Sequence, residues 1–204
     1  MIFPIFYFGP VSYFAELMKA ENYQFEIHEN FPKQTYRNRF YIQGANGKLR
    51  LGVPTVHNGS RKMKDLEISY DHPWQKEHLK SLFSAYRSSP YFEYYEDGIV
   101  SIFEKKEKYL FDLNLKTIEF ISSKLKLDLN LNTTASYELV DESIDFRNQF
   151  SPKAELQIQF PPYLQVFDDK FEFIPDLSIL DLLCNEGPKS TTYLEEIIKI
   201  THNE

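Results

Sequence analysis

The period of apolar positions changes along this chain. Ile2 to Phe8 is an unbroken apolar run that ends at Gly9-Pro10, after which Val11, Phe14, Ala15 and Met18 recur at helical spacing. This predicts a strand, a tight turn and a helix. Tyr23, Phe25 and Ile27 alternate with polar residues as a second strand, which delivers His28 to its end. From Phe40 to Val53 two short apolar stretches flank Gly44-Ala45-Asn46-Gly47, and the Asn-Gly pair predicts a hairpin. The tract His28 to Arg39, HENFPKQTYRNR, therefore lies between a strand end and a hairpin.

The middle of the chain reads as helical. Leu66, Ile68 and Tyr70 suggest a short strand before Asp71-His72-Pro73, which starts a helix with Leu79, Leu82, Phe83 and Tyr86 on its apolar face. Ser89-Pro90 breaks it and starts another, and Phe111, Leu115, Ile118, Ile121 and Leu125 continue the helical stripe. Lys124 to Asn132 fits helix and strand equally well. Glu155 to Phe160 alternates as a strand, with Tyr163 to Phe167 a further candidate. Ser178 with Asp181 forms a capping box for the helix to Asn185, Gly187-Pro188 ends it, and Thr192 with Glu195 starts the last helix. The expectation is an α+β (mixed α/β) fold, with strands at both ends of the chain forming a sheet around a central helical block. Without repeats or a Gly/Ser linker, residues 1–204 read as a single domain.

Composition narrows the function classes. The net charge of −7 argues against sequence-independent nucleic-acid binding. Positive charge nevertheless collects in the first third, at Lys33, Arg37, Arg39, Lys48, Arg50, Arg61, Lys62 and Lys64, which suggests a small anionic substrate. No apolar run approaches the ~20 residues that cross a bilayer, so membrane insertion is not expected. The opening MIFPIFYFGP lacks a basic region and contains two prolines, so it reads as a buried strand and not a signal peptide. A single cysteine, Cys184, fits a reducing cytoplasm and reads as a small core residue. The 14 Tyr and 18 Phe are dense enough to line a wet cleft as well as a core.

Several tracts together resemble the WbqC-like protein family. They are Lys33-Gln34-Thr35-Tyr36-Arg37-Asn38-Arg39 with the Gly-Pro turn and aromatic helix before it, Leu51-Gly52-Val53-Pro54 after it, the Trp74 to Tyr95 stretch, and Phe173-Ile174-Pro175 to Gly187-Pro188. The resemblance implies a place in bacterial surface-polysaccharide (O-antigen) biosynthesis, and transfer of a glycyl or similar acyl group onto a sugar. The first strand departs from the family pattern: Phe3-Pro4-Ile5 stands where a Gln-Pro pair is expected, which implies a variant substrate.

In an extended strand Arg37 and Arg39 would share a face, with Asn38 opposite, and two guanidinium forks can grip a phosphate or carboxylate while Lys33 adds a point charge. An exposed strand whose arginines pair with acidic residues is the alternative. His28 at a strand end suits a general base, although a structural histidine is the commoner case. Gly9-Pro10 offers only a weak anion site, because Pro10 lacks an N–H. Trp74, His78, Tyr86 and Tyr94 either wall a cleft that stacks a ring or pack between helices. Tyr36 belongs to the binding tract, and Asn185 and Glu186 enter through the resemblance, with a helix-end role as the alternative. His72 and His78 do not share a helix face at metal-binding spacing. The sequence fixes no cofactor. Two functions follow. In the first, a transferase moves an acyl or aminoacyl group onto a nucleotide- or carrier-linked sugar, with His28 catalytic. In the second, a ligand-binding or assembly module serves a biosynthetic machine without catalysis.

Overall fold

The computed structural model describes residues 1–56, 59, 61–153 and 158–202. The first strand is short. β1 (Ile2–Pro4) pairs in parallel with β2 (Gln24–Glu26), with Phe3 opposite Phe25. Beyond Pro4 the apolar run leaves the strand while staying buried, and Phe8 takes the left-handed conformation (φ 45°), held where Ser178 Oγ donates to its carbonyl at 2.9 Å. The chain then enters α1 (Val11–Lys19), whose first turn is closed by a distant segment: Val11 N donates to Leu177 O, and Ser12 N and Oγ donate to the carboxylate of Asp176.

The sheet is completed from far along the chain. Ile2 bridges Asp145 and Phe25 bridges Thr133, both in parallel, so two later segments flank β1 and β2. That fulfils the α+β expectation, with the C-terminal half joining as single bridges and not as full strands. Of the stretches open to both readings, 126–132 is irregular after α4, and Tyr163 to Phe167 forms no strand. The strand expected at 155–160 falls partly outside the described residues, and its remainder, 158–160, is irregular.

β3 (Arg39–Gly44) and β4 (Gly47–Gly52) form the predicted hairpin, in register from Arg39 opposite Gly52 to Gly44 opposite Gly47. The turn pair is Ala45-Asn46, and Gly47 supplies the left-handed residue (φ 98°) just after it. The expected strand over Leu66 to Tyr70 is reduced to isolated bridges, Thr55 with Ile68 and Glu67 with Tyr109.

α2 (Trp74–Tyr86), α3 (Phe92–Glu104) and α4 (Leu110–Leu125) make the helical block. α2 is rotated from its expected face. Trp74, His78, Leu82, Ala85 and Tyr86 are buried, while Leu79 and Phe83 are only half-buried. Apolar residues alone mispredicted it because the aromatic and imidazole rings go inward. α5 (Ile179–Glu186) and α6 (Ser190–His202) close the domain. Ser178 caps α5 through Leu180 N, but Asp181 does not return to the cap and instead turns inward. Gly187 ends α5 at φ 54°, where an added Cβ would lie 2.5 Å from the Tyr91 ring, so the position is closed to other residues.

The core is one aromatic-rich cluster that includes Phe3, Phe6, Tyr7, Tyr13, Phe14, Phe25, Phe40 and Tyr86. Tyr86, a candidate for a cleft wall, is therefore core. Among the described residues no helix is long and apolar enough to cross a membrane.

Candidate functional site

The HENFPKQTYRNR tract does not form a strand carrying two arginines. It is a series of turns, and β3 starts only at Arg39, so Arg37 and Arg39 share no face. Arg37 points into the protein at 1% exposure. Its Nε and Nη2 donate to the two carboxylate oxygens of Glu29 at 2.5 and 2.8 Å, Nη2 also reaches Arg147 O at 2.8 Å, and the guanidinium lies over the Phe6 ring. Nε and Nη2 are thus spent inside the fold.

Arg147 extends this network. Nε and Nη2 grip Asp145 at 2.8 and 2.6 Å, and Nη1 reaches Glu26 at 3.1 Å. Glu26 in turn accepts from His28 N and Thr134 Oγ1, and the His28 ring bonds the Thr134 carbonyl at 3.1 Å. A small hollow of about 150 Å³ is lined by Gln24, Glu26, Thr134, Ser136 and Glu138 with Ile2, Ala135 and Val140, and His28 connects to it through its bonds to Glu26 and Thr134. No hydroxyl or thiol nucleophile is hydrogen-bonded to the His28 ring among the described residues.

The other candidates separate. Lys33 is exposed, Arg39 half-buried, and Tyr36 is buried between Phe6 and Tyr41 with its hydroxyl pKa raised by burial. Asn38 Nδ2 donates to Val53 O at 3.0 Å. Tyr94 stands in solvent at 77% exposure and walls no cleft. Tyr86 and Asn185 both serve Asp181. That buried carboxylate accepts from Tyr86 and Tyr163 hydroxyls at 2.8 Å each, from Gln165 at 3.1 Å, and from Asn185 at 3.4 Å. Burial raises its pKa while these donors lower it. Glu186 is half-buried at the helix end.

Trp74 and His78 do meet a cleft. A cavity of about 360 Å³ lies between β4 and α2, lined by Leu49, Arg50, Leu51, Gly52 and Pro54 on one side and by His72, Trp74, Glu77, His78 and Ser81 on the other. Its size is that of a small-molecule site, ~300–1,000 Å³. A larger depression of about 690 Å³ over α3 and α4 holds none of the candidates, and its Lys116 is already paired with Glu107.

His78 is locked at the end of the cleft. Nδ1 lies 3.0 Å from the Tyr7 hydroxyl, and the Gly52 backbone beside the ring counters part of the effect of burial. Burial pushes its pKa down to about 4, so it is neutral near pH 7. The Tyr7 hydroxyl holds Nδ1, and the buried ring is a poor base near pH 7. Glu77 pairs with His72 at 2.8 Å, which leaves Arg50 as the exposed charge of the β4 wall with no ion pair among the described residues.

The sequence pattern of the WbqC-like protein family matches residues 6–153, well over half of the chain. The chain belongs to the WbqC-like protein family. Rv1507c of Mycobacterium tuberculosis, described as uncharacterised, is 25% identical over 219 residues, which is 92% of this chain and 91% of its own length. No solved structure matches. In this WbqC-like protein Arg50 is legible only as one of several basic residues, because nothing in its spacing marks the edge of a strand, and Glu77 and Ser81 on α2 carry no sequence signal of a cleft. Arg147 and Asp181 escaped it because each draws its partners from distant segments.

Proposed function

We propose that this WbqC-like protein is a ligand-binding or assembly module of a biosynthetic machine, that of bacterial surface polysaccharide, and that the β4–α2 cleft is where it binds. One observation carries this reading. The cleft brings together Trp74, His78 and the exposed charge of Arg50, while Nδ1 of its histidine is held by the Tyr7 hydroxyl and the ring is kept neutral by burial. Such a site holds a small anionic or sugar-like group, alone or borne on a larger carrier, and transfers no proton to it. Ser81→Trp, which fills the cleft from a half-buried helix position that lines it, tests it. Native mass spectrometry of protein purified from its host should find a retained molecule or partner on the wild type and none on Ser81→Trp. Identical spectra contradict the reading.

Acyl or aminoacyl transfer onto a sugar is the second reading, favoured by the hollow near His28, whose Glu26, Thr134, Ser136 and Glu138 would suit a small hydroxylated or amino group. There His28→Ala abolishes transfer in a folded protein. Under the binding reading it changes nothing.

A further inference from the structure

Four consecutive residues of β4, Leu49 to Gly52, line the cleft. Side chains alternate across a strand, so consecutive residues can line one cavity only if it runs along the strand's edge. β3 occupies one edge of β4. The cleft therefore follows the other.

The hydrogen-bond phase of that edge can be worked out. Val53 N donates to Asn38 O, flanking the Arg39–Gly52 pair on the β3 side, so the backbone groups of Gly52 itself point away from β3. By the two-residue period, so do those of Arg50 (opposite Tyr41) and Lys48 (opposite Gln43). His78 lines the cleft together with Gly52, on the α2 side to which this phase points. The N–H and C=O of Lys48 and Arg50, and the N–H of Gly52, have no partner among the described residues. A row of such groups is a template for another extended chain.

We infer that the unpaired edge of β4 accepts an extended acidic segment of a partner protein, laid as an added strand between β4 and α2. This rests on the cleft reading above and names its occupant. The charge selects the partner. Lys48 and Arg50 are the charged residues of β4 and both are exposed, and Glu77 on the far wall is engaged by His72. A second copy of this chain would set Lys48 and Arg50 beside their own kind, which opposes self-pairing across the edge. An acidic strand places its carboxylates against them. His78 closes the Gly52 end, so the added strand stops there. Leu49, 38% exposed, gives it an apolar contact.

The probe is a short capped peptide alternating valine and glutamate, titrated against the full chain by fluorescence anisotropy with amide hydrogen exchange read in parallel. The inference predicts saturable binding, slowed exchange at the Lys48, Arg50 and Gly52 amides, and about ten-fold or greater loss of affinity in Arg50→Glu, since a lost charge pair of this kind costs a tenfold step. An added strand uses only alternate amides of the peptide towards β4, so N-methylation in one phase abolishes binding and in the other spares it. Equal effects of the two phases, binding without protection of those three amides, or no binding overturn the inference, as does self-association that Arg50→Glu strengthens or abolishes without any peptide effect. If Ser81→Trp strips the protein of its natural ligand while the peptide fails to bind, the cleft reading stands and the strand-addition inference alone falls.

Discussion

Arg37 and Glu29 are joined by two parallel hydrogen bonds of 2.5 and 2.8 Å, with both side chains nearly out of reach of solvent. This pair turns the most basic-looking tract of the sequence into a structural clasp, tying the turns before β3 to the end of β2 and, through Arg147 O, to the later segment that flanks β1. Breaking such a pair from one side strands a charge in the interior, at a cost of ~3–5 kcal/mol. Arg37→Ala is therefore expected to lower stability by about that amount, seen as a reduced urea midpoint, with any loss of activity following unfolding. Replacing both partners by apolar residues should recover much of the loss. An Arg37→Ala protein of wild-type stability that has lost ligand binding would instead make Arg37 a ligand contact.

Two buried groups titrate in opposite senses. Burial pushes Asp176 up to about 6 from 3.8, so its contribution to stability is full below about 3.8 and is lost as pH rises through about 6. His78 is pushed down from 6.5 to about 4, so its contribution is full above 6.5 and is lost as pH falls through about 4. Each shift amounts to about 3 kcal/mol, and over the same window they offset one another. The wild type should therefore show little pH dependence from these two groups between about pH 4 and 6.5.

Asp176→Asn keeps an acceptor for Ser12 N and a partner for Ser12 Oγ, and asparagine tolerates the residue's φ of 52°. Chemical denaturation of this variant should lose the Asp176 contribution, so that stability falls more steeply than in the wild type on acidification through that window, by a difference of about 3 kcal/mol. His78→Phe should show the reverse slope. Parallel curves for wild type and Asp176→Asn would contradict the assignment.

The Asp181 cage is a third stabilising device. Tyr86→Phe removes one of its two tyrosine donors from a buried carboxylate and should cost about 1.5–3 kcal/mol, the range for hydrogen bonds to charged groups, in the thermal or urea midpoint. A change within a few tenths of a kcal/mol would mean that the remaining donors already saturate the carboxylate.

Much of the fold was legible because local periodicity dictated it: α1 after Gly9-Pro10, the hairpin around Ala45-Asn46, the breaks at Ser89-Pro90 and Gly187. What periodicity could not show was pairing at a distance. The flanks of β1 and β2 come from residues 133 and 145, more than a hundred positions away from their partners. The same limit governed the site. Arg37 and Arg39 look alike in sequence, yet Glu29 and the Arg147 carbonyl draw one inward while the other begins a strand. His78 reads as a cleft candidate in the sequence, but its hydrogen bond depends on Tyr7, which no spacing rule connects to it.

Restoring the gene to a host that lacks it, as wild type, His28→Ala or Ser81→Trp at matched abundance, separates the β4–α2 cleft from the hollow near His28 in one measurement of the surface polysaccharide. With the cleft as the working surface, His28→Ala restores the wild-type profile and Ser81→Trp does not; restoration by Ser81→Trp with failure of a folded His28→Ala would contradict it.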